Sequence, residues 1–338
     1  MGPSRLQLTY TKLTNWEYWP FKVVYFPVLL YYFGLSLKAR SFFFFSASNP
    51  SIETGGLLGE SKFDILEKIP SQYKAVSIFI RAHTLFEDVL KKIIDAKLEF
   101  PIIAKPNVGQ RGTAVAKIKT TGDLKIYILK NKKDFIVQEY IDYKIELGVF
   151  YYRFPNQKTG IISSVTMKDF LHAIGNGKDT LGTLIQKNAR AAFQYKRLAS
   201  EFDYTIVPAK NETIVLEPIG NHCRGTSFLN YNSLIDDKMH NVFDTISTQI
   251  EGFYYGRYDL RCSSIEALKE GRNIKIVELN GAGAEPAHIY QPGFSIFKAW
   301  AVLFHHWTIL YKISKMNHEH GVPYMTHAEA KKIYRAMK

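Results

Sequence analysis

The sequence predicts an α+β fold organised around a pair of antiparallel strands. Three observations predict it. Residues 254–291 hold two β-prone runs, YYGRYDLRCSS and NIKIVELN, separated by the turn and helix formers EALKEGRN. From residue 61 onward, short alternating apolar runs trade places with segments of helical periodicity. The 338 residues are 46% hydrophobic and 22% charged, enough for a substantial core with an ordinary surface.

The net charge is +13, with Lys and Arg scattered rather than clustered. That pattern argues against nucleic acid and favours nucleotide phosphates and an anionic membrane surface as partners. The two cysteines, Cys223 and Cys262, match no zinc spacing and exclude a disulfide framework, so a reducing, cytoplasmic setting is expected. His305-His306 and His318-Glu319-His320 read as surface or packing residues. No G-x-S-x-G elbow is present.

In chain order, residues 1–50 form an aromatic, apolar arm. Residues 23–37 carry no charge, but this run is 15 residues long and falls short of the ~20 needed to span a bilayer. Trp and Tyr with flanking Lys12, Lys22, Lys38 and Arg40 suit a membrane interface over residues 16–45. Packing on the main body or on a second subunit is the other open reading. Residues 49–60 are a turn-rich linker, and 61–69 a short helix ended by Pro70. Strands are expected at 75–80 and 100–105, with a helix between them capped by Thr84 and running to about Leu98. Gly109 and Gly112 flank a loop whose N–H groups could approach phosphate oxygens, and Lys105 would place an ammonium beside them. An ordinary hairpin turn is the plainer reading of that loop.

Strands follow at 134–140 and 144–154. GNGKDT at 175–180 fails the P-loop pattern, because His172 stands where its first Gly belongs. Thr180 reads as the cap of a following helix, and 184–200 as a basic helix. Helices at 233–252 and 294–314 flank the paired strands, and the last 20 residues look like a terminal helix. Asp259 lies near the end of the first paired run, and Glu278 and Asn280 at the end of the second. Residues two apart share a strand face, so Glu278 with Asn280, and Arg257 with Asp259, point the same way. Two carboxylates and an amide oxygen make a hard, all-oxygen site suited to Mg²⁺ with substrate phosphates. A solvated strand face is the alternative.

D at the end of one strand and E-x-N at the end of the next resembles the metal site of the ATP-grasp superfamily. GRYDL and ELNGAGAEP look most like its D-alanine–D-alanine ligase branch, and the likeness would cover roughly residues 60–300. Lys105 and the loop of Gly109 and Gly112 resemble that family's lid, with Arg111 standing among residues usually small. Residues 165–185 look like the phosphate loop of cyanophycin-synthetase-like ligases, with Asn176 replacing the usual Asp.

The resemblance implies an ATP-grasp fold of two α+β subdomains gripping the nucleotide. The ATP-grasp body would span 51–315, its lid about 100–150, with the arm at 1–50 and a basic tail helix at 316–338. Glu139, Tyr140 and Ile141 would line the adenine, and Glu146 would hold the ribose. Lys168 and Lys178 would clamp phosphates. Asp259, Glu278 and Asn280 would hold Mg²⁺. Arg224 would meet an anionic substrate, and Arg257 would stabilise the reaction centre. The main-chain N–H groups after Asn280 would meet a substrate carboxylate.

The expected activity is an ADP-forming ligase joining a small-molecule acid to an amine or thiol through an acyl-phosphate, with ATP and Mg²⁺ as cofactors. The alternatives are a membrane-associated nucleotide-binding module without turnover and an ATP-grasp kinase. Only about 60 residues precede the stretch that carries the resemblance, so the second substrate's wall would come from the arm, the membrane or another subunit.

Overall fold

Three helical pieces open the chain: α1 (Arg5–Thr14), a 3-10 turn at Trp16–Tyr18, and α2 (Phe21–Ala39). The structure is a computed structural model, and it describes residues 5–109, 113–218, 220 and 222–336. Ser61 then caps α3 (Lys62–Glu67) by accepting from Asp64 N–H.

A first layer follows, with β1 (Ser77–Ile80), α4 (Phe86–Asp95), β2 (Ile102–Pro106), β3 (Ala116–Ile118), α5 (Thr121–Lys130) and β4 (Phe135–Glu139). Its sheet is antiparallel in the order β1-β4-β2-β3. Ile80, Ile102, Ala104 and Val137 bury against Val89 and Ile93 of α4 and Leu124 of α5. The cap of α4 falls at Leu85 rather than Thr84, because the Thr84 hydroxyl donates back to Arg81 O at 2.8 Å.

The second layer begins with β5 (Ile145–Tyr152), β6 (Ile161–Asp169) and β7 (His172–Ile174). The helix expected over 184–200 is three short ones, α6 (Leu181–Lys187), α7 (Ala189–Phe193) and α8 (Tyr195–Leu198). Asn188 breaks it, its side chain accepting from Arg190 and Ala191 N–H and starting a new helix. Next come β8 (Thr213–Val215), β9 (Ser227–Asn230), α9 (Asp237–Thr248), β10 (Tyr255–Cys262), α10 (Ile265–Lys269) and β11 (Ile274–Asn280). The central sheet is antiparallel in the order β11-β10-β5-β6-β9, and β7 pairs with β8 alone. The chain closes with α11 (Ile296–Glu319) and α12 (His327–Ala336), and α11 runs unbroken through the boundary expected at 315/316.

Alternation along β5 shows how the central sheet is sandwiched. Leu147, Val149 and Tyr151 face a core with Met239, Phe243 and Ile246 of α9. Phe150 and Tyr152 face a second core made by α2, α11 and residues 44–45. The α+β class, with two antiparallel sheets meeting over one cavity, is what the ATP-grasp resemblance implies.

The arm packs on the body. Val24, Tyr25, Val28, Tyr32 and Leu35 of α2 are buried, and the Trp300 indole of α11 donates to Val24 O at 2.8 Å. The opposite face is also apolar: Val23, Phe26, Leu30 and Leu37 are 52, 60, 57 and 81% exposed. By length and composition α2 could cross a membrane, and about a third of it (33%) is buried against the protein.

Candidate active site

The register of β10 on β11 builds the site. Arg257 lies opposite Asn280 and Asp259 opposite Glu278, so four polar side chains share one small face as the alternation predicts. A bulge follows Asp259, which increases the local twist. On the other side of β10, Asp259 faces Gly148 of β5. A Cβ at Gly148 would lie 3.3 Å from Arg257 Cδ and 3.4 Å from Asp259 Oδ1, so glycine makes the room this pair occupies.

Arg257 grips Asp259 with two bonds, Nε to Oδ1 at 2.8 Å and Nη2 to Oδ2 at 3.1 Å. Lys168 Nζ from β6 lies 3.6 Å from Asp259 and 2.9 Å from Glu146. Glu146 also holds Arg261 at 2.9 Å. Lys62, from α3, pairs with Glu278. Lys105 is buried and donates to Gln138 Oε1 at 3.0 Å and Val277 O at 2.9 Å. Four cations (Lys62, Lys105, Lys168, Arg257) thus stand among three carboxylates (Glu146, Asp259, Glu278).

Burial alone would raise the Asp259 and Glu278 carboxyls. Arg257 with Lys168, and Lys62 with Lys105, outweigh it and hold both below the usual carboxylate range. Burial pushes Lys105 down to about 8. These residues line one cavity of about 910 Å³ that takes walls from both sheets and from the arm.

Asp259, Glu278 and Asn280 fit a hard divalent cation by chemistry. Both carboxyls are ionised, and the Asn280 amide comes within 3.5 Å of Asp259 Oδ2. Arg257 and Lys62 hold the same carboxylates here, so a cation would compete with them. Among the described residues no group of three or more His, Cys, Asp or Glu side chains could hold a metal. The expected set reaches three donors only through the amide.

Lys105, Gly109, Glu139, Tyr140, Ile141, Glu146, Lys168 and Arg257 all line the cavity. Gly112 lies outside the described residues. Glu146 is buried between Lys168 and Arg261 rather than exposed on its strand. The Ile141 carbonyl, one of the main-chain groups expected at an adenine edge, accepts from Arg261 Nη1 at 2.9 Å. The Tyr140 ring carries Lys117 Nζ 3.5 Å from its centroid.

Three expectations are corrected. Lys178 stands exposed on the loop after β7 and is not part of the cavity wall. Arg224 turns away to Glu217 at 3.4 Å, and His222 takes the wall position instead. The N–H groups of Ala282 and Gly283 donate to Gly55 and Gly56 O at 2.9 Å each, so they are not offered to a substrate. A Cβ on Gly56 would lie 2.7 Å from Gly281 Cα, and it is this close approach that locks the turn.

Sequence reasoning missed Lys62, Arg261, Glu60 and Glu285, all of which line the cavity. The Glu60 Oε2 atom is buried without a hydrogen-bond partner. Glu285 accepts from the phenols of Tyr25 and Tyr290, the latter at 2.7 Å, and loss of water around it pushes its carboxyl up to about 7. Arg261 shares the parity of Arg257 and Asp259, so strand alternation could have found it. Lys62, Glu60 and Glu285 carry no such signal.

No protein-family model matches the sequence, and neither does any curated protein. Solved structures give distant likenesses. A bifunctional glutathione synthetase from Pasteurella multocida is 14% identical with a TM-score of 0.39, over 72% of this chain and 36% of that one. The VanG D-Ala:D-Ser ligase from Enterococcus faecalis is 14% identical with a TM-score of 0.43, over 74% of this chain and 61% of that one. The D-alanine–D-alanine ligase from Bacillus anthracis is 14% identical with a TM-score of 0.42, over 77% and 69%. The chain therefore spans less than two thirds of the first two, and similarity at this level does not establish a family.

Proposed function

We propose that the protein is an ATP-dependent, ADP-forming ligase that joins a carboxylic acid to an amine. The observation that carries this reading is the cavity between the sheets, where Lys62, Lys105, Lys168 and Arg257 surround the face of Asp259, Glu278 and Asn280. A cluster of buried cations beside a hard-oxygen face suits a triphosphate with its Mg²⁺. Asp259, Glu278 and Asn280 would hold a bound Mg²⁺, which would supply positive charge to offset that of the phosphates.

The rest falls to the chain's own side chains. Lys105 and Lys168 neutralise phosphate oxygens, and Arg257 faces charge that develops on the acid's carbonyl oxygen. Residues 139–141 with Glu146 form the nucleoside end. No side chain need act as nucleophile, because positioning and electrostatics supply most of the rate. The outward apolar face of α2 supports a further reading, that the protein rests on a membrane surface at the cytoplasmic side.

Lys105 gives the nucleotide site a pH signature. Its pKa of about 8 rises when phosphates arrive, so binding takes up a proton between about 8 and the higher bound value. Nucleotide affinity is therefore expected to fall as pH rises above about 8, by about tenfold per unit at the steepest. Below pH 8 both states are protonated and the dependence vanishes. Calorimetry with Mg-ADP, in buffers of different ionisation enthalpy, measures both affinity and proton uptake. Lys105→Arg should flatten the profile, because a guanidinium keeps its charge. Absence of saturable Mg-nucleotide binding at pH 7 would overturn the ligase reading.

A further inference from the structure

The cavity has two chemically different ends. One is the charged floor of Lys105, Lys168, Arg257 and the metal face. The other is an aromatic chamber walled by Trp16, Trp19, Tyr25, Tyr32, Leu303 and Trp307. Between them stands Glu285. Its two oxygens each accept one phenol, from Tyr25 and Tyr290, and its main-chain carbonyl accepts from Arg257 Nη1 at 3.1 Å. One lone pair on each carboxylate oxygen remains available to a ligand. The cavity volume of about 910 Å³ lies near the top of the range for ligand pockets, about 300–1,000 Å³.

Resting on the ligase reading, we propose that the aromatic chamber is the amine site. It takes a primary amine on an apolar body, with the ammonium docked on Glu285 and facing the charged floor. A carboxylate set among aromatic faces is complementary to an ammonium, and the rings add cation–π attraction. The same placement would repel a second carboxylate, so the acid is not the chamber's occupant. The apolar body lies along α2 and α11, toward a mouth where Phe21 and Leu29 are 52 and 47% exposed.

The proton balance closes on the same residue. The bound ammonium gives one proton to the Glu285 carboxylate, and the freed nitrogen lone pair attacks the carbonyl carbon of the acyl-phosphate. A C–N bond forms and the C–O bond to phosphorus breaks. The phosphate leaves with that electron pair and takes the second nitrogen proton. Glu285 then returns its proton to solvent. A carboxyl that titrates near neutrality can both take and return it.

The chamber contains its own reporters, since Trp16, Trp19 and Trp307 line it. Without nucleotide, monodansylcadaverine (a primary amine on an aromatic body) is expected to bind the full chain saturably at pH 8, read by tryptophan-to-dansyl energy transfer. Displacement by n-alkylamines should strengthen about fourfold per methylene until the chamber is full. Octanoate should compete at least tenfold more weakly than octylamine. Glu285→Gln should weaken octylamine at least tenfold while the circular dichroism spectrum stays unchanged. Leu29→Lys, at the exposed mouth, should weaken it with no effect on Mg-ADP affinity. Octanoate binding as tightly as octylamine, no gradient with chain length, or unchanged octylamine binding in Glu285→Gln would overturn the proposal. Amine binding without Mg-nucleotide binding would support the amine site and overturn the ligase reading alone.

Discussion

Asp259→Asn is expected to lower ATP turnover by at least about a hundredfold and to destabilise the fold at the same time. The two effects share one cause. Asp259 neutralises Arg257 through two bonds and Lys168 at 3.6 Å, with side chains 6, 21 and 10% exposed. Removing its charge leaves two cations in a confined space with one carboxylate fewer. Breaking a buried pair from one side costs about 3–5 kcal/mol, and thermal unfolding would record that loss. Asn280→Ala separates the roles. Among the described residues the Asn280 side chain makes one polar contact, at 3.5 Å with Asp259, and belongs to no ion pair, so turnover should fall while the melting temperature stays close to the parent's. Full activity of either variant at limiting Mg²⁺ would show that the metal is held elsewhere.

A chain beginning at Asn49 is expected to aggregate. It loses Trp16, Val24, Tyr25, Val28, Tyr32, Leu35, Phe44 and Phe45, all at 0–9% exposure. Each is worth about 1.5–3 kcal/mol of burial, and together they are comparable to or larger than the whole stability of an ordinary domain, about 5–15 kcal/mol. The truncation also bares Leu303, Ile309, Leu310 and Ile313 of α11. Aggregation therefore reports the packed face of the arm and says nothing of lipid. The outward face is tested by Phe26→Glu with Leu30→Glu, at positions 60 and 57% exposed. This double variant should fold as the parent does, while flotation with anionic liposomes, expected of the full chain and weakened by salt, is lost. Unchanged flotation would show that α2 does not meet the membrane.

The polar face of β10 and β11 was legible because its parts are local. Arg257, Asp259, Glu278 and Asn280 lie on two consecutive strands, and a period of two fixes which side chains share a face. Lys105 was read from its place beside the glycine loop and Lys168 from the likeness of residues 165–185 to a phosphate loop; both lie on strands and line the cavity. Lys178 sits in a bend and Arg224 in a 3-10 turn, where no period of two fixes direction; Lys178 is exposed, Arg224 pairs with Glu217, and neither lines the cavity. Lys62 reaches Glu278 across 216 positions in sequence, a contact no local pattern encodes. The arm was legible as apolar and as one of three possible sources of a cavity wall, but not which of its sides is buried, because α2 carries apolar residues all round and no stripe marks that side. One face of α2 packs on α11 while the other is apolar and exposed, so core packing and the proposed lipid contact are compatible readings.

The most direct test of the central claim is product analysis with Mg-ATP, a set of candidate carboxylic acids and hydroxylamine. Hydroxylamine intercepts an acyl-phosphate as the hydroxamate, whatever the natural amine. ADP, free phosphate and hydroxamate in equal amounts, formed only when an acid is present, are the expected result. AMP with pyrophosphate, ADP with a phosphorylated acceptor and no free phosphate, or no acid-dependent ADP at all would contradict it.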